Sequence, residues 1–388
     1  MCSELINSGF EISAIVAPPY YPDWKVHSEF SSYWFTKSRE QGVNITRCPL
    51  YVPKKVTTLK RLLHLTSFAI SSGFSLFSKI FTRPDVVFLV QPTLFCAPCV
   101  LLFCKLTGAK SVMHIQDYEV DALFGLELMS KGRISVLIKK IECWLMSRFD
   151  ALSTISYNMI ENAIRKGVAK EKIIYLPNWS DIDFVNPDVD GNALKKEWGY
   201  SDVDKVILYS GNIGKKQGLE IVLEAAKAFN DQENIKFLLV GAGSHVTQLK
   251  AIAKKMNLTN IHFKPLLPWE RVPEMLSFAD IHLVVQKKGV ADAVLPSKLT
   301  NILSAGGYAL VSAEEHTELG QLKEKHPGIY NCIKPDCLTS FVDGLKELLA
   351  SDLSCPNKVA RAYAEHYLAK DKVLSKFVKD MNSIFHRK

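Results

Sequence analysis

From residue 41 to residue 84 the chain carries no acidic side chain. Every charge in that gap is basic: Arg47, Lys54, Lys55, Lys60, Arg61, Lys79 and Arg83. The same gap holds Leu59, Leu62, Leu63, Thr66, Ile70, Phe74, Phe77 and Phe81 at helical spacing. Residues 54–83 are therefore expected to form a basic amphipathic helix. It would either lie on an anionic lipid surface or pack into a core with its basic face in water. Long uninterrupted apolar runs are also lacking. The most apolar stretch, 86–104, is broken by Gln91, Pro92 and Pro98 and followed by Lys105. A spanning helix needs about 20 apolar residues, so this stretch reads as a buried strand and a helix, and the protein as non-integral. The first residues, MCSELINSGFEISAIV, have neither a basic start nor a clean apolar core, so no secretory leader is expected.

Paired cysteine signals are missing too. The nine cysteines are odd in number and sit mostly in apolar runs, as reduced buried thiols do. Cys96-Ala-Pro-Cys99 has redox spacing but no second pair to complete a metal site. Three Asp-x-Asp pairs, Asp181/Asp183, Asp188/Asp190 and Asp202/Asp204, lie in a polar connector and read as solvated loop acids rather than metal ligands. The net charge of +8 suits an anionic ligand or an acidic membrane surface, and no nucleic-acid partner is expected.

With 47% hydrophobic and 23% charged residues the chain is globular, and its 388 residues are too many for one ordinary core. Ten short aliphatic runs, from EISAIVA through DVVFLVQ, KVILYSG and KFLLVGAG to YALVSA, alternate with helical patterns. Continuous apolar strands separated by helices predict parallel sheets covered on both faces. The turn-rich stretch near 183–203 separates two sets of them. The expected fold is α/β, with two facing doubly wound domains, 1–185 and 186–360. An amphipathic helix, 361–388, is expected to pack across the boundary. Ligands of such sheets sit at the carboxyl ends of strands.

Three strand-to-helix turns of the second half favour a phosphate. VILYSGNIGKKQGLE supplies Gly211, Gly214 and Gly218 with Lys215 and Lys216, LLVGAGSHVTQL supplies Gly241 and Gly243, and LPSKL supplies Ser297 as a plausible cap with Lys298 beside it. In the first half His114, followed by Gln116 and Asp117, ends a strand, where it could donate to a ligand as charge develops.

The order of these pieces, with FADIHLVV between LVGAG and LPSKL, resembles the donor half of the family 4 glycosyltransferases. GVAKEKIIYLPNWSDIDFVNPD is similar to that family's connecting segment. APPYYPDWKV, MHIQDYEVDALFGL and RFDALSTIS resemble the branch that builds colanic-acid-type exopolysaccharides. The resemblance runs from about residue 5 to 350. It implies the GT-B fold and a retaining transfer from a nucleotide-sugar, with fucose the sugar it suggests, to a lipid-linked or oligosaccharide acceptor. It further implies no required cofactor or metal, a polyprenyl-pyrophosphate-linked acceptor and a place at the inner face of the cell membrane.

On this resemblance His114 and Asp117 are the catalytic candidates. Tyr20, Tyr21, Trp24, Glu119 and Asp121 lie on the acceptor side. The donor would be held by Gly211, Asn212, Lys215, Lys216, Gln217, Gly241, Gly243, Asp292, Pro296, Ser297, Lys298 and Asn301.

Two departures stand out. Asn212 and Gln217 occupy positions where the family carries an Arg and a Lys, so Lys215, Lys216 or Lys298 must supply the charge. Ala293 and Asn301 replace two glutamates, leaving Asp292 as the nearby acid. The family's first strand and glycine loop also precede the stretch matched by LINSGFEISAIVAPPYYP, so the first domain is expected to be incomplete at its start. The alternatives are an epimerase or hydrolase of nucleotide-sugars on the same fold, or a non-catalytic remnant.

Overall fold

Aliphatic runs become buried parallel strands, and polar connectors become the turns between them, in both compact units of the chain. The computed structural model describes residues 1–20, 24–55, 57–91, 94–118, 133–288 and 296–385, with the backbone alone at Thr58, Arg133, Ile134 and Lys216. One unit comprises Met1–Leu176 and the residues from Leu374 onward, the other Pro177–Val373.

The first unit holds its strands in two sheets. In one, β1 (Ser13–Val16) pairs in parallel with β3 (Val43–Arg47), which pairs antiparallel with β2 (Thr36–Glu40). The other is a parallel sheet in the order β4 (Val86–Gln91), β5 (Lys110–Ile115), β6 (Ala151–Thr154) and β7 (Ile173–Tyr175). Its helices are α1 (Cys2–Asn7), α2 (Thr58–Phe77), α3 (Ala97–Thr107), α4 (Arg133–Arg148) and α5 (Tyr157–Arg165). The β2–β3 hairpin departs from the all-parallel expectation. Gln41 and Gly42, both at positive φ, form the two-residue turn that such a hairpin favours. TKSRE is largely exposed, so it lacks the apolar run by which the other strands are read.

The second unit is one parallel sheet in the order β10-β9-β8-β11-β12-β13. Its strands are β8 (Lys205–Ser210), β9 (Ile235–Val240), β10 (Ile261–Lys264), β11 (Ile281–Val284), β12 (Ala309–Ser312) and β13 (Asn331–Ile333). Its helices are α6 (Asn192–Glu197), α7 (Glu220–Ala228), α8 (Val246–Lys255), α9 (Val272–Phe278), α10 (Ser297–Ser304), α11 (Glu318–Lys325), α12 (Leu338–Ala350) and α13 (Lys358–Tyr363). Alternate residues of β8 enter separate core clusters, Val206 and Leu208 on one face, Ile207 and Tyr209 on the other. A sheet buried on both faces needs such continuous apolar strands. The chain leaves β8 toward β9 and β10 on one side, and β11 to β13 fill the other. The switch point therefore falls between β8 and β11, where an open α/β sheet leaves its binding crevice.

The break between units falls at Leu176–Pro177, ahead of the connector expected near 183–203. Val185 is fully buried in the second core, and Ser180 pairs with Ala369, so residues 177–185 belong to the second unit. The carboxy-terminal segment is not one helix. A π-helical turn at Ala364–Leu368 follows α13, and extended Ala369 interrupts the path before α14 (Lys370–Phe385). That extension lets Ser180 exchange backbone hydrogen bonds with Leu368 and Lys370. From Leu374 onward the chain belongs to the first unit, where Phe377 meets Phe88 edge-on.

Candidate functional site

A cavity of about 590 Å³ opens at the switch point of the second unit, within the usual size range of small-molecule sites. Its polar lining comes from Ser210 at the end of β8 and Gly211 after it, from Ser297, Lys298, Thr300 and Asn301 on α10, and from Ser180, Asp181 and Lys370. Its apolar lining comes from Leu266, Leu267, Trp269, Val272, Met275 and Leu276.

Lys298 is the central charge. Its Nζ lies 3.8 Å from the ring centroid of Tyr209, and a Cβ on Gly211 would stand 3.5 Å from it. Among the described residues it has no ion-pair partner. Burial pushes its amine down to about 7. A cation enclosed without a counter-ion is poised to take an anion from solution. Tyr209 is fully buried, and its hydroxyl donates to the Asn212 carbonyl at 2.7 Å, so one side chain fixes both the glycine loop and the amine. Lys370, the other lysine on the wall, pairs with Asp181 at 2.9 Å and holds that carboxyl below its ordinary range.

The glycine turns do come together, though with divided roles. Gly211 N donates to Val240 O, Ile213 N to Ala242 O, and His245 N to Ile213 O. Gly211 lines the cavity. Gly241 and Gly243 lie where a Cβ would collide with the carbonyl oxygens of Gly211 and Ile213, so their lack of a side chain serves loop-to-loop packing. Asn212 is exposed, and Gln217 turns back to accept the Gly214 N–H at 3.1 Å. Lys215 is exposed on the same short turn, away from the cavity wall, and Lys216 lies there by its backbone. Of Lys215 and Lys298, Lys298 is the one that lines the cavity.

Ser297 is not a cap. Pro296 occupies the N-cap of α10, no side chain caps the helix, and Ser297 is its first residue. Asn301 accepts from Ser180 Oγ at 2.9 Å through Oδ1, which leaves its amide N–H groups as the donors on offer. Asp292 lies outside the described residues.

In the first unit His114 stands one residue from the carboxyl end of β5, where it is enclosed at 4% exposure. The Gln116 side-chain amide donates to Nε2 at 2.6 Å, so Nδ1–H donates to Ser153 Oγ at 2.9 Å. Burial pushes the ring down to about 4, and Phe88 stacks on it. Both nitrogens are therefore engaged in a neutral imidazole whose effect is to hold Gln116. Asp117 is exposed on the following loop, and Glu119 and Asp121 lie outside the described residues, as does Tyr21. Tyr20 and Trp24 do meet, around a residue the motifs do not reveal. His64 donates from Nδ1 to the Tyr51 carbonyl at 2.6 Å, takes the Tyr20 hydroxyl on Nε2 at 3.0 Å, and packs against both rings.

Tyr209, Ser180 and Trp269 are likewise missing from the motif reading. Ser180 stands in the quoted PNWSD, which is the signal by which it could have been found.

Residues 191–366 match the glycosyl transferases group 1 family, and residues 1–179 match the glycosyl transferase 4-like domain. The chain is 48% identical over 386 residues to WcaI of Escherichia coli (strain K12), a protein named for colanic acid biosynthesis glycosyl transfer. The match covers 98% of this chain and 94% of that one. Sucrose-phosphate synthase from Thermosynechococcus elongatus superposes with a TM-score of 0.72 at 13% identity, covering 100% of this chain and 92% of its own. HepE of Anabaena, solved with UDP and glucose, gives 0.70 at 12% identity, covering 96% and 100%.

Proposed function

The chain belongs to the group 1 glycosyltransferases, with the GT-B fold, and from that premise we propose that it transfers a sugar from a nucleotide-sugar to a polyprenyl-pyrophosphate-linked or oligosaccharide acceptor during assembly of a colanic-acid-type exopolysaccharide. The observation that carries the donor half of this reading is Lys298, a buried amine with no carboxylate beside it among the described residues, facing the switch-point cavity. The UDP bound by HepE supports a nucleotide-sugar as the donor class. Fucose is the proposed sugar, and retention of anomeric configuration the proposed outcome.

The diphosphate would lie against Lys298 and the backbone of Gly211. As the bond from the anomeric carbon to the diphosphate oxygen breaks, negative charge grows on the leaving group. An ammonium already fixed there stabilises that charge without reorganising. Asn301 would donate to a ribose or sugar oxygen, and the apolar stretch around Leu266 and Trp269 would take the less polar part of the nucleotide. No metal is needed in this scheme, since Lys298 provides the neutralising charge. On the acceptor side Tyr20 and Trp24 form an aromatic surface, and Asp117 is the described acid that could take the acceptor's proton. His114 acts in this reading by positioning Gln116.

The proposed workplace is the inner face of the cell membrane, with the protein peripheral. No helix among the described residues is long and apolar enough to cross a membrane.

Incubation with a panel of nucleotide-sugars, with and without a polyprenyl-pyrophosphate-linked sugar, tests the reading by product analysis. Acceptor-dependent formation of a lengthened lipid-linked product is expected. Donor turnover that ignores the acceptor would mean epimerase or hydrolase chemistry instead.

A further inference from the structure

Helix α2 is mounted with its apolar stripe outward. Leu59, Leu62, Leu63, Ile70 and Phe74 recur on one face and are all exposed, Leu59 at 68% and Phe74 at 71%. The side that the unit covers carries buried His64, Ser71 and Ser75 together with Ala69 and the half-buried Leu65, Phe68, Leu76 and Phe77. Ser71 donates to the Pro49 carbonyl at 2.6 Å, and Gly73 lets α2 approach Cys99 of α3. A surface helix of a water-soluble unit normally keeps its outward face polar. These contacts fix which side faces out, so the exposed apolar stripe belongs to the fold.

The pattern continues on the neighbouring helices. Helix α2 packs on α3 and α3 on α4. Their strands run β4, β5, β6 across one sheet in a single direction, which places α3 and α4 on the same side of it. Leu102 and Leu106 are exposed on α3, and Val136, Leu137, Ile141 and Trp144 on α4. Phe81, just after α2, is 94% exposed. Basic side chains accompany them: Lys54 and Lys55 just before α2, Lys60 in its first turn, Lys105 on α3, Lys140 and Arg148 on α4, all exposed. The acid of α4, Glu142, is buried and paired with Lys166.

We propose that the outer face of α2, α3 and α4 is a docking surface for an anionic lipid bilayer, with Leu63, Ile70, Phe74 and Trp144 entering the acyl boundary and the lysines meeting headgroup charge. Large exposed apolar side chains with basic companions and almost no acid match an anionic interface, both in apolar burial and in charge. This extends the peripheral placement proposed above from one helix to three, and rests on that reading for its biological sense alone.

The test is co-sedimentation of the full chain with vesicles of phosphatidylcholine containing about one-quarter phosphatidylglycerol, at low salt, where surface charges act beyond about 10 Å. Three variants accompany the wild type: Leu63→Ser with Ile70→Ser and Phe74→Ser, Val136→Ser with Trp144→Ser, and Lys54→Gln with Lys55→Gln and Lys60→Gln. All positions are exposed, so folding is expected to survive, and nucleotide binding in the other unit serves as the control. The wild type should bind anionic vesicles and leave neutral ones. Each serine set should lower partition at least about tenfold, and the glutamine set should flatten the salt dependence.

Wild type that ignores anionic vesicles, or serine variants that bind as well as it does, would overturn the proposal. So would a concentration-dependent dimer dispersed by the serine variants, which would give the face to a second copy. Sugar transfer without vesicle binding would remove the docking surface and leave the enzyme reading standing. Vesicle binding without transfer would do the reverse.

Discussion

Lys298 sits over an aromatic ring and has no carboxylate beside it among the described residues, and this has a measurable consequence. With its amine near 7, the unliganded site is only partly charged at neutral pH. A diphosphate needs the ammonium, so binding should draw a proton from solution and weaken as the pH rises above 7. The weakening approaches about tenfold per pH unit for one linked proton. Calorimetry of the preferred nucleoside diphosphate in buffers of different ionisation enthalpy should register that uptake. Lys298→Met should cost about 1.5–3 kcal/mol of binding and abolish the pH dependence. Equal affinity for the variant at every pH would show that the phosphates lie elsewhere. Tyr209→Phe keeps the ring and loses the bond to Asn212, so it should bind less well while retaining the pH profile. Lys298 was legible in the sequence because LPSKL starts a helix after a strand. Its partner was not, since Tyr209 reaches it across the switch point from a strand end far away in the chain.

At the level of elements, the second unit was readable because its strands are continuous apolar runs buried on both faces, a pattern hard to mistake. TKSRE and VNITR carry no such pattern, and their pairing depends on a two-residue turn whose positive φ values show only in three dimensions. Periodicity revealed α2 but could not say which face the fold would cover, because apolar side chains lie on both its covered and its exposed sides. The glycine turns were read as ligand-facing, and among the described glycines Gly211 is the one that lines the cavity. Gly241→Ala tests that division. A Cβ there would strike the Gly211 carbonyl and push apart the two loops that Gly211 N and Ile213 N tie together. The expected result is a loss of about 2–4 kcal/mol in unfolding free energy with weakened nucleotide binding, followed by urea denaturation and calorimetry. Full stability with binding alone impaired would place Gly241 at the ligand after all.

Across the whole molecule each unit buries a neutral histidine inside its sheet, His114 in β5 and His282 in β11. Burial lowers both to about 4, against an ordinary value near 6.5 in the unfolded chain. Between those values the unfolded chain binds protons that the folded one refuses. Their contribution is therefore present in full above pH 6.5 and lost as the pH falls toward 4, at up to about 1.4 kcal/mol per pH unit for each ring. Lys298 works with the same sign in a higher window. Its folded value near 7 lies below the unfolded 10.5, so stability should rise with pH between them. A bound diphosphate, by restoring the ammonium, should erase this upper slope and leave the acid one untouched. Urea midpoints measured from pH 4.5 to 9, with and without nucleotide, should show both slopes and the selective loss of one. His114→Leu and His282→Leu should each flatten the acid limb. An acid limb unchanged in the double variant would assign it to the carboxylates, and an upper slope indifferent to nucleotide would detach Lys298 from the ligand.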